Sequence, residues 1–281
     1  VGATGAQRQH VSHCRNPETT EMGVPKGVEN MNVFIDIETV PSADRESYIQ
    51  EARDNFKAPS SLTKGQAGED LGLTGDALKY TSADDVKRQW EREMASVKAD
   101  GVGDDAWRKT ALDGTHGRVL CIGWKVPGIE VETMLAEPRH EADLLRAAFA
   151  GMQKSLEQVH ESIKSRQPLF IGHNVTFDLK FLYRRCVILG VRPPFDFPFS
   201  GRNGRDYYCT MRSWCEYGER ISQNRLLEAL GIVETTDMDG SQVCDAWLGG
   251  ELDRISAYCG EDVANVEKIY NRLTFNGAIQ C

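Results

Sequence analysis

Asp36 and Glu38 form an Asp-x-Glu pair inside the otherwise apolar stretch 32–40. A strand repeats every two residues, so both carboxylates fall on one face and side by side. Neighbouring ionised carboxylates repel, and burying them is costly unless a cation compensates. An acid pair at a strand end is common, so other acids matter. Asp178 follows an apolar run at 168–172 and a polar turn, in the first turn of a helix expected over 177–189. Its position also suits the helix dipole, which alone could explain it. Tyr258 and Asp262 are four residues apart beside a stripe of Ile255, Cys259, Val263, Val266, Ile269, Tyr270 and Leu273. That spacing puts them on one side of a helix, where a plain surface Tyr–Asp pair is the simpler alternative. Oxygen ligands of this kind suit Mg²⁺ or Mn²⁺.

The elements that must position these groups follow from periodicity. Over 32–40, Val33, Ile35 and Ile37 share one face, with Phe34, Asp36 and Glu38 on the other. Strands are expected at 118–126 and 130–135, joined through the Pro127-Gly128 turn, and helix over about 140–165. A buried strand at 168–172 precedes the 177–189 helix, which Gly190 stops in the left-handed C′ position. More helices are expected at 223–230, 241–248 and 253–273. A hairpin followed by strand–helix alternation implies an α/β fold with a mixed sheet and helices packed on it. Residues 42–115 are polar and glycine-spotted, with one helix expected over 82–98 and too little apolar content for a core. They form a long insertion after the first strand, leaving from the end that carries Glu38, and are expected to gate or shape the entrance to the acids. Residues 1–30 show no apolar period and are expected to be a disordered tail or an artefact of the gene start. The remainder, 31–275, is expected to be one domain carrying the insertion.

In type, order and context these segments resemble the DEDD, or DnaQ-like, exonucleases of the tyrosine subclass. Their Asp-x-Glu motif is matched by Asp36 and Glu38. Their Asn-x-x-(Phe/Tyr)-Asp motif is matched by Asn174 to Asp178, and Tyr-x-x-x-Asp by Tyr258 to Asp262. The 118–124 strand, the segment near 207–209, and the stretches 226–232 and 258–270 resemble stand-alone exonucleases predicted from sequence and related to family-B polymerase proofreading domains, some found in phages. The likeness covers about 32–40 and 115–273, leaving tail and insertion unexplained.

The resemblance implies a ribonuclease H-like fold and 3′→5′ exonuclease activity releasing nucleoside 5′-monophosphates. It implies two divalent cations, Mg²⁺ or Mn²⁺, on Asp36, Glu38, Asp178 and Asp262, with Asp36 bridging both; one activates water and the other stabilises the leaving 3′ oxygen. Tyr258 would orient the attacking water, since a phenol of pKa near 10 is a poor base at neutral pH. Thr39 and Ile37 would meet the terminal nucleotide. Asn174 would hold the turn before Asp178 or touch the scissile nucleotide. His173 and Phe177 are further candidates for substrate contact, with a structural histidine and a core aromatic as plainer readings. Single-stranded DNA is the favoured substrate and RNA the alternative. An inactive end-binding module, or a proofreading module serving a polymerase or replication partner in trans, are the other readings.

Composition narrows the field. At 281 residues, 40% hydrophobic and 27% charged, the chain can bury a sizeable core. No apolar run approaches the roughly 18 residues that cross a bilayer, and no signal-peptide pattern opens the chain, so a cytoplasmic protein without membrane partner is expected. A net charge of −9 argues against simple electrostatic coating of nucleic acid. The stretch 180–225 departs from this, with nine Lys/Arg against four acids, an excess of 9 − 4 = +5 that is either a solvated surface or a strip for phosphates. Eight cysteines without a C-x-x-C pair read as small buried hydrophobes; a zinc set of His10, His13 and Cys14 in the tail is the weaker alternative. No phosphate-binding G-x-x-x-x-G-K-[ST] loop occurs.

Overall fold

The computed structural model describes residues 31–136, 140–159, 167–233 and 238–276. The 1–30 tail, with His10, His13 and Cys14, and the end of the helix expected to reach 165 lie outside the described residues.

Five strands form one mixed sheet in the order β3-β2-β1-β4-β5. They are β1 (Asn32–Val40), β2 (Arg118–Lys125), β3 (Glu132–Leu135), β4 (Leu169–Gly172) and β5 (Tyr208–Cys209). β1 pairs antiparallel with β2 and β2 with β3, whereas β1, β4 and β5 run parallel. The alternation along β1 divides its neighbours. Val33, Ile35 and Ile37 enter the main core with Leu144, Leu145, Phe149 and Met152 of α6 (Glu141–Val159) and Leu179 and Leu182 of α7 (Thr176–Leu189). On the opposite face, Phe34 and Ile171 pack with Val263, Val266 and Tyr270 of α11 (Leu252–Leu273). Tyr270 meets Phe34 and Tyr208 edge-on, with ring centroids 5.6 and 4.8 Å away. This is the helix-flanked mixed sheet expected of a ribonuclease H-like fold. Among the described residues no helix is long and apolar enough to cross a membrane.

The insertion departs from expectation. It holds five helices: α1 (Arg45–Asn55), α2 (Lys64–Asp70), α3 (Gly75–Tyr80), α4 (Ala83–Glu93) and α5 (Ala95–Lys109). The single helix expected over 82–98 is broken at Met94, because α4 packs on α2 while α5 turns to pack along α1. Gly103 makes that second crossing close: a Cβ there would stand 2.6 Å from the Ile49 Cα. A small core exists after all, with Leu62, Ala67, Val86 and Trp90 buried together and the Trp90 indole N–H donating to Asp70 at 2.7 Å. A few well-placed apolar residues on facing helices suffice where most of each helix faces water.

The insertion's base is fixed to the sheet. The Thr39 hydroxyl donates to the Ala111 carbonyl (2.7 Å), the Trp107 indole N–H to the Ser42 carbonyl (2.7 Å), and Arg108 pairs with Asp245 of α10 (Val243–Leu248) at 2.7 Å. Arg184 of α7 reaches Asp113 at 2.8 Å.

Candidate active site

β1 carries Asp36 and Glu38 on the face that looks toward α11, and β4 runs parallel beside it. The turn after β4 delivers Asp178 to the first turn of α7, at the same sheet edge. A register shift between Glu38 and Thr39 interrupts the pairing with β2, which resumes at Thr39 and Val119; such bulges re-aim side chains near functional sites. From above, α11 lowers Tyr258 and Asp262. Acids from three separate segments thus come close enough to act on one another's charge.

Glu38, Asp178 and Asp262 are buried and Asp36 is partly exposed. Burial, and then Glu38, Asp178 and Asp262, push the Asp36 carboxyl well above its ordinary value. Glu38 is raised in the same way, by burial first and Asp262 next. Asp178 is pushed up to about 7 by burial, although its own N–H and that of Ile37 donate to it. These are acids gathered against their own repulsion. The oxygens of Asp36 and Glu38 lie within 4.8 Å of each other and of the Cys259 sulfur. The thiol donates to the Asp36 carbonyl at 3.7 Å, which turns it toward the strand backbone. Tyr258, half-buried, hydrogen-bonds Asp262; burial first, then the surrounding carboxylates, raise its phenol and keep it protonated.

The other residues singled out in the sequence fall elsewhere. Ile37 is on the opposite face, buried in the main core, so its side chain offers nothing to a terminal base; its contribution is the backbone N–H to Asp178. Thr39 is engaged through its hydroxyl with Ala111. Asn174 is exposed at φ 61°, a left-handed conformation that asparagine tolerates, and its carbonyl accepts from Phe177 as α7 begins. His173 is held at both nitrogens: Nε2 donates to the Ile221 carbonyl and Nδ1 faces the Thr210 hydroxyl, each at 2.9 Å. Burial lowers its pKa, consistent with a neutral structural ring. Phe177 packs half-buried against the core and Phe181.

Two residues that matter here were not read from the sequence. Gln223, at the start of α9 (Gln223–Ala229), donates from Nε2 to Asp262 Oδ1 at 2.7 Å and fixes that carboxylate. No local pattern reveals a partner 39 residues away. Gly123 stands opposite Asp36 in β2, where an added Cβ would meet the Cys259 sulfur and a Val263 methyl at 2.9 Å. A glycine within the apolar run 118–125 is a usable signal of close backbone approach. Gly123→Ala must lift α11, and with it Tyr258 and Asp262. We expect about 100-fold lower turnover from such misplacement and a loss of about 1–3 kcal/mol from overpacking. Kinetics and thermal melts check this; full activity in a destabilised variant would refute the coupling.

A search of the curated proteins returned no match. A family model described as a predicted 3′–5′ exonuclease related to the exonuclease domain of PolB matches residues 128–280. The matched stretch contains Asp178, Tyr258 and Asp262, with Asp36 and Glu38 upstream of it. By that match, over more than half its length, the chain belongs to this family of predicted 3′–5′ exonucleases.

Proposed function

We propose that the protein is a metal-dependent 3′→5′ exonuclease that removes nucleoside 5′-monophosphates from single-stranded DNA ends. The observation that carries this is the convergence of Asp36, Glu38, Asp178 and Asp262, three of them raised by burial and mutual repulsion. Such a cluster fits cations: they would remove the repulsion, and an oxygen donor set suits Mg²⁺ or Mn²⁺. Those four residues would hold them. Divalent cations in such a site supply charge neutralisation at the phosphate and an acidified water.

The chain's own residues do the rest. Tyr258 keeps its proton and so acts by orienting the water rather than by accepting a proton from it. Gln223 and Tyr258 both hold Asp262, fixing the carboxylate before substrate arrives. Ile37 does the same for Asp178 through its backbone N–H. The insertion, anchored at Thr39 and Ser42 next to Glu38, borders the entrance and limits which ends can approach.

The test is digestion of 3′- and 5′-labelled single-stranded DNA and RNA with Mn²⁺, Mg²⁺ or EDTA, by wild type and Asp36→Ala. Metal-dependent shortening from the 3′ end, absent in the variant, is expected, with DNA cut faster than RNA. Faster cutting of RNA would make this an exoribonuclease; binding without cleavage under every condition would overturn the enzymatic reading.

A further inference from the structure

The basic stretch 180–225 does not form one charged face. Arg185 is buried against Glu141, Arg184 pairs with Asp113, and Arg205 pairs with Asp206, each at 2.8 Å. Arg212 donates to the Tyr207 hydroxyl. Lys180, Arg192, Arg202, Arg220 and Arg225 are exposed without an ion pair among the described residues; two of them, Arg220 and Arg225, stand together. They line one cavity of about 700 Å³ together with Trp214, Glu219, Ile221 and Ser222. That size falls within the range of ligand-binding clefts. Trp214, which ends the short helix α8 (Thr210–Trp214), leaves 47% of its surface exposed there. The acid in the lining, Glu219, is turned to the Glu216 N–H at 3.2 Å.

Hydrogen bonds tie the cavity wall to the carboxylate site. Ile221, in that wall, accepts from His173, which precedes the turn to Asp178. Two residues on, Gln223 grips Asp262. β5 runs parallel to β4, so α8 leaves the sheet at the edge where α7 begins. A strand whose 3′ end sits at the four acids therefore has this cavity as a neighbour.

We propose that the cavity takes the single strand upstream of the two nucleotides that flank the scissile bond, with Trp214 stacked on a base and Arg220 and Arg225 on backbone phosphates. The proposal rests on the exonuclease reading and adds to it the residues that hold the unpaired strand. An indole accepts a base on its face only when that base is free of its own stack, and such stacking tolerates any sequence. Two arginines without acidic partners meet phosphates without first breaking an ion pair.

The test compares wild type, Trp214→Ala and an Arg220→Ser, Arg225→Ser double variant on a labelled dinucleotide and a 12-nucleotide single strand. Each variant is expected to raise KM for the longer strand by about 10-fold or more, with kcat and dinucleotide cleavage unchanged. The double variant should also flatten the salt dependence of log KM by roughly 1.4, for two phosphates lost on a single strand. Unchanged KM on the longer strand, or an equal loss on both substrates, would overturn the proposal. A wild type that cuts neither substrate would instead overturn the exonuclease reading. All three residues are exposed, so matched melting temperatures establish that the variants fold.

Discussion

Asp178→Asn is expected to lower turnover by about 10⁴-fold while making the metal-free protein more stable at pH 8. The two effects have one origin. Burial pushes the Asp178 carboxyl up to about 7 from an ordinary 3.8, so ionising it within the fold costs stability. At pH 8 the side chain is ionised all the same, and the fold bears that cost in the absence of cations. Asparagine keeps an oxygen for the Ile37 N–H and removes the charge, so much of the cost disappears. It also removes an anionic ligand from the set proposed to hold the cations. Calorimetry in EDTA and single-turnover kinetics in Mn²⁺ measure the two sides. A variant that stays active would take Asp178 out of the cation set. One that is inactive and less stable would make the carboxylate a structural bond rather than stored repulsion.

Wild type without metal is expected to lose stability as pH rises from about 4 to 7. An acid whose folded pKa lies above its unfolded value holds its proton in the fold while the unfolded chain releases it. Within that window the unfolded state is favoured increasingly; below 3.8 and above about 7 the Asp178 contribution is level. Asp36 and Glu38 are shifted in the same direction and steepen the fall. Millimolar Mg²⁺ or Mn²⁺ should reverse the trend, because cations bind the ionised cluster and only in the fold. Melting curves at pH 5, 6, 7 and 8, with EDTA or with metal, check both. Metal-free stability that is flat or rising over this range would mean that the acids are already compensated within the protein.

The frame that carries the four acids was legible because its signals are local. Alternation along 32–40 assigns Phe34, Asp36 and Glu38 to one face, and the structure puts α11 over that face. The helices α6, α7, α9, α10 and α11 start within about two residues of their expected positions, since each carries an apolar period or a capping residue such as Ser222. What escaped is non-local. Tyr208–Cys209 is a strand of two residues, formed only because β4 offers an edge. The insertion's core is scattered over Leu62, Ala67, Val86 and Trp90, and no window of sequence holds enough of it to register. Ile37 is instructive in another way: the resemblance implied contact with the terminal nucleotide, while the same alternation had already assigned its side chain to the core. There the strand period outweighs the resemblance.

The last of the four acids arrives on the last described helix. Glu38 and Asp262 are 262 − 38 = 224 residues apart. At about 5–20 residues per second, a ribosome needs roughly 11–45 s to make that stretch. Late in that interval β1 can pair with β2 and β4 and present Asp36, Glu38 and Asp178, but neither Tyr258 nor Asp262 is there to complete the set. On the proposed function, a nascent chain therefore lacks part of its cation set until α11 is made. The proposed set closes only when α11 has settled over Gly123.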